Sequence, residues 1–160
     1  MNKKANAVAD GAVTIVGLFV FAIICIVGFS IFTEMNTDIQ SMDDMSNSSK
    51  ELTDDLHTQY PGLFDGLFAF VLVALWISSV VLSFFIDSHP IFLVISVILI
   101  TFVLLAGAYV SNTYAEITTD AAFVDAASSF PITNFIFDNL LIVILVMTTS
   151  VLISLYAKTR

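Results

Sequence analysis

Four long apolar blocks, residues 12–33, 63–86, 91–110 and 132–155, constrain this chain more than any motif in it. A bilayer's hydrocarbon core is about 30 Å thick and takes roughly 20 residues of helix to cross. Each block is long enough. An ordinary soluble domain of 160 residues does not carry 58% hydrophobic and only 12% charged residues. The expected fold class is therefore all-α, a single membrane domain over residues 1–160 built as an integral membrane four-helix bundle.

The first block follows a short polar start with Lys3 and Lys4. That order resembles a signal peptide, but the run is longer than the roughly 7–15 residues of an apolar signal core, so it is read as a retained span. Gly17, Phe21, Ile24, Gly28 and Phe32 recur at helical spacing and form an expected packing seam. The single cysteine, Cys25, lies within this block and reads as inert packing.

Residues 34–62 form an acidic connection in which Glu34, Asp38, Asp43, Asp44, Glu51, Asp54 and Asp55 face only Lys50. Met35, Ile39, Met42 and Met45 continue the first helix at spacings of three and four, so that helix is expected to project beyond the bilayer. Ser48-Ser49-Lys50-Glu51 has the pattern of a capping box and predicts a second, short helix with Leu52 and Leu56 on one face. A solvated loop and a partner surface are equally weighted readings of this segment. Residues 111–131 form a second polar connection, with Glu116, Asp120 and Asp125 around an alanine-rich stretch.

Pro61, Pro90 and Pro131 each precede or open an apolar block. A first-turn amide has no partner within its helix, so proline is tolerated there and predicts a helix start at each position. With four spans, Lys3, Lys4, Lys158 and Arg160 share one side with the turn at residues 87–90, opposite both acidic connections. The positive-inside rule makes that side, and both termini, cytoplasmic.

Asp87, Ser88 and His89 have the composition of a hydrolase triad, but neighbours in a tight turn cannot converge on one reacting atom. They read as a cap on the third helix. His57 and His89 fall on opposite sides of the membrane and cannot share a metal ion within one subunit. The acidic loop lacks the ligand spacing of a calcium site. No enzyme activity, cofactor or metal is expected. The formal net charge of -9 also disfavours direct nucleic-acid binding, which needs clustered Lys and Arg.

Ionisable residues within spans are expensive and count as candidate sites. Asp65, near the expected start of the second helix, and Asp138, two turns into the fourth, head a candidate polar seam with Ser79, Ser83, Asn112 and Asn134. On the second helix the stripe runs Asp65, Ala69, Leu72, Trp76, Ser79, Ser83. Two readings stand: a proton or cation route, or close packing of small and hydroxyl residues with Asp65 hydrated in a first turn and favoured by the dipole of its own helix. Packing carries more weight, because no acidic residue sits at mid-depth.

The segment Ser83-Phe84-Phe85-Ile86-Asp87-Ser88-His89-Pro90, followed by an apolar helix and Ser111-Asn112-Thr113-Tyr114, resembles small multi-span membrane proteins of tailless icosahedral phages with an internal lipid membrane. The resemblance implies a virion structural component lying beneath the capsid shell, organising the bilayer and meeting capsid proteins. Lys3, Lys4, Asp87, His89, Lys158 and Arg160 would then be the cytoplasmic or capsid-facing contacts. Expected partners are the lipid bilayer, further copies or other membrane proteins, and capsid proteins. The expected location is a virion internal membrane or a host cytoplasmic membrane. The alternatives are a small ion-conducting or holin-like protein using the polar seam, and an accessory subunit docking through the acidic connection.

Overall fold

The computed structural model describes residues 6–85 and 91–157, and all regular structure among them is helical. The helices are α1 (Asn6–Ser41), α2 (Asn47–Ser83), α3 (Ile91–Thr118), α4 (Val124–Ser128), α5 (Pro131–Asp138) and α6 (Leu140–Ala157). Three of them, α1, α2 and α3, are long and apolar enough to cross a membrane, and α5 with α6 adds a fourth, broken candidate. Lys3, Lys4, Asp87, Ser88, His89, Pro90, Lys158 and Arg160 lie outside the described residues.

The longest elements, α1 and α2, have 36 and 37 residues. At 1.5 Å per residue each is about 54 Å long, well beyond a hydrocarbon core of about 30 Å. They pair as an antiparallel hairpin, and side-chain contacts fix the register. Phe21 stacks on Phe68, Phe32 meets His57 and Tyr60, and Thr33 Oγ1 lies 2.9 Å from His57 Nε2. Further out, Asn36 Nδ2 donates to Asp54 Oδ1 at 3.2 Å. Gln40 Nε2 donates to the Lys50 carbonyl while Lys50 Nζ donates back to the Gln40 carbonyl, both at 2.9 Å. This reciprocal clasp uses the acidic connection's single cation to satisfy a carbonyl near the end of α1, where backbone acceptors lose their helical partners.

The extension agrees with the expected projection of the first helix and with a second helix opening inside the connection, since α1 continues to Ser41 and α2 begins at Asn47. Two boundaries differ: the helices of the connection over 34–62 are continuous with the apolar parts of α1 and α2, and Pro61 lies inside α2 rather than at a helix start. Proline withholds an amide from the carbonyl one turn earlier and is costly in a helix interior. Packing overrides that cost. Because Thr33 sits opposite His57, the apolar end of α1 reaches about 9 Å past the level of Leu63, where the apolar part of α2 begins. His57 and Tyr60 stack on Phe29, and Tyr60 packs on Phe64 across the proline, so the turns on both sides of Pro61 are held in helical geometry. The cap of α2 also falls earlier than the capping-box pattern predicts: Ser46, not Ser48, accepts from the Ser49 amide at 3.2 Å.

A second correction concerns the fourth block. The expected span 132–155 is divided into α5 and α6, bent by 75°. Asn139 stands at the break, and its Nδ2 donates to the Phe135 carbonyl at 2.9 Å, beside the backbone amide of the same residue at 3.2 Å. Asparagine competes with helical backbone bonding in this local way. The polar connection over 111–131 shrinks likewise, since α3 continues to Thr118 and α4 fills part of the remainder.

In cross-section, α1 and α6 each pack against both α2 and α3, α5 lies on α2 and α3, and α4 lies on α1 and α5. Among the described residues, the most buried large side chains are Tyr114, Phe68, Phe130, Phe137 and Ile26. Phe137 is the hub of the aromatic core, meeting Phe19 of α1, Phe68 of α2 and Tyr114 of α3. Two glycines permit close helix approach: a Cβ at Gly28 would lie 2.8 Å from the Tyr60 hydroxyl, and one at Gly107 would lie 2.5 Å from Ile144 Cδ1. Of the expected α1 seam, Phe21, Gly28 and Phe32 make contacts with α2, whereas a Cβ at Gly17 would meet nothing within 4 Å among the described residues and Ile24 is 62% exposed.

Candidate functional site

The most concentrated polar chemistry lies where α5 begins. Phe130 occupies the position before that helix and supplies no side-chain cap, while Pro131 brings no amide. The first free amides therefore belong to Ile132 and Thr133. Both donate to Asp65 of α2: Ile132 N to Oδ2 at 2.8 Å and Thr133 N to Oδ1 at 2.7 Å. Thr133 Oγ1 adds a third bond to Oδ1 at 2.7 Å. Asp65 is 3% exposed. Its carboxylate thus caps a helix remote in sequence, and the positive end of the α5 dipole faces it. This corrects the expectation that Asp65 lies hydrated in a first turn, because it sits in the interior of α2 and the dipole it meets is that of α5.

Around this bond a second set of contacts ties in α3 and α4. Tyr114 Oη donates to Asn134 Oδ1 at 2.6 Å, and Asn134 Nδ2 donates to the Ala127 carbonyl at 2.8 Å. Ser111 Oγ donates to the Phe137 carbonyl at 2.8 Å, close to the end of α5. The Tyr114 ring stacks on Phe137 with centroids 4.2 Å apart. Among the described residues, every buried side-chain nitrogen or oxygen has a partner. The cluster is a closed hydrogen-bonded knot joining α2, α3, α4 and α5 within an aromatic shell.

Of the six seam candidates, the structure brings only Asp65 and Asn134 into this knot. Ser79 and Ser83 donate to their own helix, to the carbonyls of Leu75 and Val80. Asn112 and Asp138 are exposed. Among the described residues, a polar line therefore does not continue inward from Asp65. The interhelical polar contact further along the α2 stripe, again among the described residues, is Trp76 Nε1 donating to Ser150 Oγ of α6 at 2.8 Å. Of the proposed outward-facing contacts, Lys3, Lys4, Asp87, His89, Lys158 and Arg160, none falls within the described residues. His57 is engaged by Thr33 and Phe29. Among the described residues no group of three or more His, Cys, Asp or Glu is placed to hold a metal ion.

Thr133 and Tyr114 take part in the knot without having been marked as site residues. A signal for Thr133 was present: Phe130-Pro131 opens a helix with no local cap, so those amides need an acceptor from elsewhere. Tyr114 gave no comparable signal, since its partner lies across the interface with α5. Comparison with protein-family models, curated proteins and solved structures gives no match.

Proposed function

We propose that the chain is a non-enzymatic structural membrane protein, a four-helix bundle with both termini on the cytoplasmic side, acting through lateral contacts and by organising the bilayer. The observation that carries this reading is the commitment of Asp65. Its carboxylate accepts three short hydrogen bonds from α5 and is closed off from solvent. A conduction path through it would require those donors to be released, leaving the buried amide and hydroxyl of Thr133 unpaired. The resemblance to phage internal-membrane proteins extends the proposal to a virion component lying against a capsid shell. The projecting α1–α2 hairpin then carries the acidic surface on the side away from the termini.

Proteoliposome flux and particle composition test the proposal together. With Asp65→Asn and Asp138→Asn variants, a structural protein gives the same ion leak as wild type. Flux that is present in wild type and abolished in a folded variant overturns the structural reading. Co-purification with a membrane-containing virus particle supports the virion assignment. Recovery from cell membrane alone, in infected cells that yield such particles, removes it.

A further inference from the structure

Beyond the Asp65 knot, the bend at Asn139 has a second product. It directs α6 against α2 through the Trp76–Ser150 bond, and beside that contact lies an open crevice of about 300 Å³. Trp76, Ile77, Val80 and Val81 of α2 line it with Ser150 of α6, and no polar surface faces into it. Trp76 spends its indole donor on Ser150, and Ser150 in turn donates to the carbonyls of Val146 and Met147. Polar groups at the rim are thus satisfied internally. Nothing in the lining can recognise a charged or hydrogen-bonding ligand.

We infer that this crevice is a binding site for one lipid acyl chain, seated between α2 and α6 against the face of Trp76. The inference rests on reading both helices as membrane-embedded. Both walls then belong to the apolar part of the bilayer, and Ile77 and Val81 open outward at 58% and 48% exposure. An apolar void left empty forfeits the dispersion contacts of its lining, and a polar occupant would find no partner there. A flexible hydrocarbon chain is the occupant that the surrounding solvent supplies. Its headgroup lies outside the crevice and contributes no selectivity.

Trp76 is the chain's one tryptophan and reports on the site directly. The test titrates detergent-solubilised protein with a phosphatidylcholine brominated on its acyl chain and follows Trp76 fluorescence. A resident chain gives saturable quenching, reversed by the unbrominated lipid. Val80→Phe and Val81→Phe, which fill the crevice, raise the half-saturating concentration by about tenfold, the loss expected when roughly two methylenes of burial are removed. Ile98→Phe, on the exposed surface of α3, leaves it unchanged. Quenching that rises linearly without saturation, or that is identical in wild type and both filled variants, overturns the site. In bilayer vesicles, Trp76 quenched by aqueous iodide and not by brominated lipid overturns the membrane-embedded reading itself.

Discussion

At the residue scale, the contact between Asp65 and Thr133 makes a sharp prediction. Replacing Asp65 with Ala leaves the buried amide and hydroxyl of Thr133 and the part-buried amide of Ile132 without their acceptor, at a cost of about 3–5 kcal/mol. Asp65→Asn keeps one acceptor oxygen but turns an amide donor toward a backbone donor, for a loss of about 1–3 kcal/mol. Thermal or denaturant unfolding in detergent should rank the two in that order, and equal stability of wild type and Asp65→Ala would refute the capping role. Tyr114→Phe removes the donor to Asn134 and retains the stack on Phe137. Its expected cost is smaller, about 1–2 kcal/mol. Asp65 could be singled out from sequence because a carboxylate in an apolar block stands out. Its role could not, since that role depends on an amide pair remote along the chain.

Elements show a different balance between local and tertiary forces. Pro61 carries every local mark of a helix start, yet α2 runs through it because the apolar end of α1 needs covering by His57 and Tyr60. The covering residues are polar-aromatic, so hydropathy alone places them in the polar connection rather than in the span. If packing holds the proline against its own preference, Pro61→Ala restores an amide donor without disturbing that cover, and the unfolding midpoint should rise by the equivalent of about 1–3 kcal/mol. An unchanged or lower midpoint would mean that the proline shapes the hairpin. The break at Asn139 was hidden for the opposite reason: the surrounding block is apolar throughout, and one asparagine does not announce whether its side chain will turn back on Phe135. Local chemistry was legible for Pro131, where both sequence and structure place a helix start.

For the whole molecule, the coarse architecture was legible because length and hydropathy act together over roughly 20 residues at a time. Contacts among the helices were not, because they depend on register. Ser48→Cys, in the first turn of α2 and with the native Cys25 replaced by Ala, should react with a membrane-impermeant thiol reagent added from the non-cytoplasmic side and stay protected from the cytoplasmic side. Labelling from the cytoplasmic side would invert the proposed orientation.

The register between α1 and α2 also bears on the lipid around them. Apolar surface on α1 extends about 9 Å further outward than on α2, so the hydrophobic belt of the protein is uneven in height around its circumference. A flat bilayer cannot match both flanks. It must thicken beside α1, thin beside α2, or tilt the hairpin, each at a fraction of a kcal/mol per Å of mismatch. Neighbouring copies that set tall flank against tall flank would share that deformation, giving the membrane itself a directional preference in how such proteins assemble.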